Sequence, residues 1–269
     1  MTGSKSIGII GGGAVGKAIS AYYPAALIYD KYRPVDPIEK VAAQDYIFVA
    51  VPTPFQGGQA DLTEMDDAIA STVRHLTNPS QQIIIIKSTV VPGTTERYQI
   101  QYPQANFAFN PEFLTEKTAV EDFAKPDKQV LGYTAKTESR AQEILENLPP
   151  APFMHAYPAK TCELAKYAIN SFYAFKVIFA NTLYELCDCL GVDYNYVREA
   201  VVRDKRIIDS HFDVLHGGYR GYGGKCLPKD IRTLVWFGNK YGFNPEFIKT
   251  VIDLNDKLEK DRHLKIAKT

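Results

Sequence analysis

The sequence has 269 residues, 45% of them hydrophobic and 23% charged, which is enough apolar material for one large domain or two smaller ones. Lys plus Arg and Asp plus Glu both number 31, so no net field draws the protein to nucleic acid or to an anionic membrane, and the expected partner is a small molecule. No apolar run reaches the roughly 20 residues of a transmembrane helix, and MTGSKSIGIIGGG leaves no room for a signal peptide before the first strand-like run, so a cytoplasmic protein is expected.

The first predicted strand is SIGIIG, and the turn after it carries Gly11, Gly13 and Gly16 in G-x-G-x-x-G register at the opening of a helix. In that setting the first glycine permits a tight turn, the second lets backbone N–H groups approach a pyrophosphate, and the third permits close helix packing. The second strand, ALIYD, ends at Asp30, about 20 residues past the first glycine, where an acid binds the ribose hydroxyls of NAD. Lys31 and Arg33 beside it offer charge for a 2′-phosphate, so NAD over NADP is a preference carried by Asp30.

YIFVAV and QIIIIKST are the next strands, and their exit loops, VAVPTPF and KSTVVPGTT, lie where open α/β sheets bind ligands. Thr53, Ser88 and Thr89 are hydrogen-bond donors there, although Pro, Gly, Ser and Thr also serve plain turns. Between the two strands, DLTEMDDAIASTVRHL predicts an amphipathic helix with Asp61 as N-cap and Glu64 at the capping-box position. NFAFNP, KQVLGY and PFMHAY are further strands, and TESRAQEILENL is a helix stopped by PPAP. Short apolar runs alternating with helical patterns predict βαβ units and a parallel sheet. The proline cluster at 149–152 lies close to a domain boundary, giving a first domain over 1–157 and a second over 158–269.

NPEFLTE places Glu112 and Glu116 four apart just after a strand, as a general base or as plain helix-start acids. Past residue 160 the strands stop. CELAKYAINSFYAFKVIFANTLYELCDCLG is apolar nearly all round a helix, which fits the middle of a helical second core or the face of a dimer. Lys166 and Asn170 project from one face of that helix, either as oxyanion donors or with the lysine turned to solvent. A shorter helix, DYNYVREAVV, a glycine loop and a closing helix, PEFIKTVIDLNDKLEKDRHLKIAKT, follow.

The four cysteines, Cys162, Cys187, Cys189 and Cys226, show no CxxC pair and no His-x-x-x-His partner, so neither a disulfide framework nor a metal site is expected. Cys187 and Cys189, in a helical pattern, read as packing residues. Cys226 differs. In GYGGKCLPKD it follows three glycines and precedes Pro228, Lys229 and Asp230, and a lysine or a helix start lowers the pKa of a thiol below its free value of about 8.5. It is a candidate nucleophile.

VAVPTP, STVVPGTT, NPEFLTEKTAVED, ELAKYAIN and GYGGKCLPKD, behind a dinucleotide-binding start, resemble the UDP-glucose 6-dehydrogenase family of nucleotide-sugar dehydrogenases over essentially the whole chain. The resemblance implies an N-terminal Rossmann NAD-binding domain, an all-helical dimerisation domain, and oxidation of a sugar C6 alcohol to a carboxylate with two NAD. It makes Cys226 the nucleophile that captures the aldehyde as a thiohemiacetal and then a thioester. Lys166 and Asn170 become oxyanion donors, Asp230 a residue that positions water and lysine, Glu112 the acid of proton transfer and hydrolysis, and Thr89 and Glu116 residues lining the site and the nicotinamide. On the cofactor side it adds Val15, Lys31, Val51, Pro52 and Lys229. On the substrate side it adds Phe113, Leu114, Tyr222 and Gly223, with Arg206 reaching the sugar of a neighbouring subunit in a homodimer. Chains of that family continue into a second Rossmann-like domain that grips the nucleotide, whereas this sequence stops at Thr269 and reads as a truncated form. Two alternatives stay open: a β-hydroxyacid-type dehydrogenase, which shares a Lys-x-x-x-Asn helix but needs no cysteine, and a catalytically silent NAD-binding remnant.

Overall fold

A computed structural model describes residues 5–266, with side chains through residue 259. The chain divides into two compact units, Met1–Gln56 with Ala60–Lys166, and Gly57–Gln59 with Tyr167–Thr269.

The chain through residue 158 runs β1 (Ile7–Ile10), α1 (Ala14–Tyr22), β2 (Leu27–Tyr29), α2 (Ile38–Val41), β3 (Tyr46–Val49), β4 (Phe55–Gln56), β5 (Gln59–Ala60), α3 (Thr63–Arg74), β6 (Ile83–Ile86), α4 (Thr94–Gln101), β7 (Phe107–Phe109), α5 (Ala119–Ala124), β8 (Lys128–Tyr133), α6 (Ala141–Glu146) and β9 (Phe153–Pro158). Seven strands form one sheet in the order β2-β1-β3-β6-β7-β8-β9. Its interior strands are covered on both faces, which is why they read as unbroken apolar runs. Side chains alternate along each strand. Ile84 and Ile86 enter one core with Ile47, Val49 and Phe107, while Ile83 and Ile85 enter the other with Ile9, Phe48 and Leu131.

The expected parallel sheet is parallel at every pairing but one, because β7 and β8 run antiparallel. The β4–β5 hairpin was not expected. It turns on Gly57 and Gly58, both at positive φ (57° and 78°), as a two-residue turn requires. The capping box at α3 is also corrected. Leu62 is the N-cap residue, Asp61 Oδ1 instead accepts from Thr63 N at 2.9 Å, and Glu64 accepts from the Tyr32 hydroxyl at 2.7 Å.

The second unit is helical. It takes most of α7 (Ala159–Leu190), then α8 (Tyr194–Val202), α9 (Leu227–Lys240) and α10 (Glu246–Ile266). Asp193 starts α8 by accepting from Asn195 N at 2.7 Å. One core gathers Ala174, Ile178, Tyr222, Ile231, Val251 and Ile252, and a second gathers Ala180, Cys187, Tyr194, Phe212 and Val214. Cys187 packs as expected, but Cys189 is exposed, since two residues along a helix lead to the far side. The last three residues of the expected closing helix lie outside the described residues. Among the described residues no helix is long and apolar enough to cross a membrane, and no three His, Cys, Asp or Glu side chains are grouped as a metal would need.

Candidate active site

The glycine turn after β1 has the geometry its spacing implies. Gly11 sits at φ +107°, and a Cβ there would stand 2.3 Å from Ala50 O. A Cβ on Gly16 would stand 1.9 Å from Gly11 O, so only glycine lets α1 lie against the turn. Gly13, the N-cap of α1, is different: a Cβ there would meet nothing within 4 Å. The bare backbone at this helix start therefore faces open space, which suits close approach of a pyrophosphate to N–H groups at the positive end of a helix. Val15, half-buried, belongs to the first turn of α1.

Asp30 follows β2, and its Oδ2 accepts from Gly12 N at 2.8 Å while Oδ1 accepts from Tyr32 N and Arg33 N, both at 2.9 Å. These N–H bonds, that of Gly12 first, hold the carboxyl below its usual range, so Asp30 stays ionised beside the turn. Lys31 is occupied by Asp67 at 3.1 Å and Glu64 at 3.6 Å. The exit loops of β3 and β6 are tied together: Thr53 Oγ1 donates to Thr89 O and Ser88 Oγ to Val51 O, each at 2.7 Å, and Pro52 is exposed between them.

In the same unit, Lys166 near the start of α7 is 4% exposed. Its Nζ donates to Glu112 O at 2.6 Å and pairs with Glu112 Oε1 at 3.1 Å, 5.2 Å from the centroid of the Phe113 ring. An ammonium has three N–H donors, and Glu112 accounts for two, which leaves one to offer an oxyanion. Burial pushes the Glu112 carboxyl up, but Lys166, the Leu114 N–H at 2.8 Å and Lys87 outweigh it and hold the group below the usual carboxylate range. Glu116 does not join this cluster and lies exposed in a turn.

In the second unit, Cys226 is exposed and is the N-cap residue of α9, a helix not expected between the glycine loop and the closing helix. Pro228 in the first turn and Asp230 after it were the available signals. One turn on, Asp230 N donates back to Cys226 O at 2.9 Å, and the Asp230 side chain, 1% exposed, is met by two donors. Asn170 Nδ2 donates at 2.5 Å and Lys229 Nζ forms an ion pair. A carboxylate only accepts, so it fixes which end of the Asn170 amide faces it. A Cβ on Gly223 would strike the Tyr219 hydroxyl at 2.4 Å. Tyr222, expected against substrate, has its ring in the core and its N–H on Asn255 Oδ1 at 2.7 Å. Arg206 extends into solvent, paired with Asp204 at 2.6 Å.

Two buried groups in the first unit escaped the sequence reading. Lys87, just past β6, donates to Asn110 Oδ1 at 2.7 Å. Glu163, one turn before Lys166, accepts from Gly93 N at 2.5 Å, Thr95 N at 2.9 Å and Thr95 Oγ1 at 2.6 Å, which fastens the start of α4 to α7. Burial pushes its carboxyl up to about 7.

The UDP-glucose/GDP-mannose dehydrogenase family matches the chain twice, its NAD binding domain over residues 25–148 and its central domain over 160–257. The UDP-glucose 6-dehydrogenase AglM of Haloferax volcanii is 34% identical over 245 residues, covering 84% of this chain and 56% of the relative. The UDP-glucose 6-dehydrogenase of Pseudomonas aeruginosa is 35% identical over 232 residues, covering 79% and 49%. A UDP-glucose dehydrogenase structure from Pyrobaculum islandicum superposes with a TM-score of 0.82 at 32% identity, covering 96% of this chain and 69% of that one. The chain spans about half the length of the curated relatives it matches.

Proposed function

The chain belongs to the UDP-glucose/GDP-mannose dehydrogenase family, and from that premise we propose that it oxidises the C6 alcohol of a nucleotide sugar, UDP-glucose first among candidates, to the carboxylate. The observation that carries this reading is an exposed thiol, Cys226, at a helix start with the buried Asn170–Asp230 pair and the half-buried Lys229 one turn behind it. An alcohol-to-aldehyde dehydrogenase needs no such cysteine, whereas covalent capture suits an aldehyde that must be carried on to an acid. The names of the relatives support the substrate. We take residues 1–157 as the NAD-binding domain and 158–269 as the helical domain, in a cytoplasmic homodimer.

The Gly11–Gly16 turn, Asp30 and the Val51–Thr53 and Ser88–Thr89 loops would hold NAD, which supplies the acceptor of two electrons and one hydrogen in each oxidation. Engagement of Lys31 by Asp67 and Glu64 favours NAD over NADP. After the first oxidation the Cys226 thiolate attacks the C6 aldehyde carbon. A C–S bond forms and the carbonyl oxygen takes negative charge, stabilised by N–H groups of Lys166 and Asn170, one turn apart on α7. The second oxidation leaves a thioester. Water, deprotonated with help from Glu112 and positioned by Asp230, adds to it, the C–S bond breaks and the thiolate departs from the carboxylate. In sum, one alcohol, one water and two NAD give one carboxylate, two NADH and three protons.

The experiment is the ratio of NADH formed to UDP-glucose consumed by the purified chain. A ratio near two is expected, falling to one or less with Cys226→Ser. A wild-type ratio of one that the serine leaves unchanged sinks the covalent reading and favours the β-hydroxyacid type.

A further inference from the structure

Lys87 is 2% exposed, directly after the Ile83–Ile86 run and before the Ser88–Thr89 loop. Burying an ammonium is costly unless it is hydrogen-bonded and paired. Its hydrogen bond goes to Asn110 Oδ1, and the Phe123 ring centroid lies 5.3 Å from Nζ. Asn110 is pinned on its other sides. Its backbone N–H donates to Ile86 O at 2.9 Å, and its amide donates to Gln129 Oε1 at 3.1 Å and Val130 O at 2.9 Å. Two residues on, Glu112 meets Lys166.

The charged groups acting on Lys87 are Glu112 and Lys166. The elements around it add no others: Gln129 of β8 is neutral, Lys128 faces the Phe113 ring, Glu121 of α5 is exposed, and Asp122 accepts from Thr115 and Thr118. Lys166 thus pairs with the Glu112 carboxylate directly, and the buried Lys87, held on Asn110, acts on it through space. We propose that Lys87 is a positioning residue: anchored on Asn110, it holds the 110–114 segment with Glu112 facing Lys166, and its ammonium is the second cation acting on the Glu112 carboxylate. The inference rests on the roles proposed above for Glu112 and Lys166. Burial pulls the Lys87 ammonium down to about 7, with Glu112 opposing and Lys166 assisting. Titration of Lys87 in that range would couple the cluster to pH near neutrality.

Lys87→Met is the test. It keeps the length of the side chain and removes the charge, a change that buried sites often tolerate. Titration of the Glu112 carboxyl by carbon NMR on the ligand-free chain should move upward in the variant, because a cation that favours the ionised form is gone. With UDP-glucose and NAD, kcat should drop at least tenfold with the NAD Kd within twofold of wild type, and the limb of the kcat profile near pH 7 should vanish. Lys87→Arg retains a charge that does not titrate, so it should keep Glu112 low and still lose that limb. An unchanged Glu112 titration together with wild-type kcat and an intact limb overturns the proposal. If the wild-type chain turns over no UDP-glucose, the functional reading fails by itself, and the Glu112 titration alone then decides whether Lys87 acts on that carboxylate.

Discussion

Gly13 and Gly16 lie three residues apart, yet a methyl group harms them differently. Gly16→Ala drives a Cβ into Gly11 O and should destabilise the first unit. Gly13→Ala adds a methyl in open space at φ −71°, so the urea midpoint should stay within error of wild type. The same methyl occupies the space offered to the pyrophosphate, so NAD affinity measured by calorimetry should fall at least tenfold. Asp230→Ala strands the Asn170 amide, a loss of about 1–3 kcal/mol in unfolding free energy. Glu163 gives a prediction in pH. Its carboxyl is raised from 4.5 to about 7, so between those values the folded state binds more protons than the unfolded one. Its stabilising contribution is full below about pH 4.5 and is lost as pH rises through about 7. Urea unfolding from pH 4.5 to 7.5 should show this decline in wild type, and Glu163→Gln should flatten it. Cys226, Lys166, Asn170 and Asp230 were legible as candidates because polar groups stood in apolar or glycine-rich surroundings. Lys87 and Glu163 were not, since their burial comes from strands and loops distant in sequence, and nothing in IIIIKST marks a lysine as enclosed.

Among the elements, strands rich in Ile and Val were readable because both faces of the sheet are covered, which leaves an unbroken apolar run such as Ile83–Ile86. The antiparallel pairing of β7 with β8 was not readable, as pairing direction is set by where the chain returns. α9 was hidden by its glycine-rich approach, although Pro228 in its first turn marked it. α7 carries a second message. Phe172, Phe179, Leu186 and Leu190 are all more than half exposed and recur at heptad-like spacing along one stripe. In the proposed homodimer this stripe would be covered by the partner. Phe172→Asp combined with Phe179→Asp should therefore convert the dimer to a monomer in sedimentation velocity, while a wild-type monomer at the same concentration removes the basis for the dimer.

At the scale of the molecule, the residues proposed for dinucleotide binding and the cysteine proposed as nucleophile fall in separate units, so the two functions should be separable by mutation. Cys226→Ser should bind NAD as wild type does and lose iodoacetamide labelling at that position, and Gly13→Ala should do the reverse. The balance of 31 basic and 31 acidic residues predicts only a weak dependence of substrate capture on ionic strength beyond what the proposed nucleotide-sugar substrate would itself bring. The order of the sheet also bears on how the chain reaches its native state. β1 is synthesised before both of its neighbours in the sheet, yet it lies between them, hydrogen-bonded on one edge to β2 and on the other to β3. Its apolar residues, Ile7, Ile9 and Ile10, have no complete cover until Val49 has emerged from the ribosome and been brought back beside it. Such non-local parallel pairing is slow to form and leaves strand edges open to other chains in the meantime, so dilute refolding should be slow and its yield should fall with protein concentration.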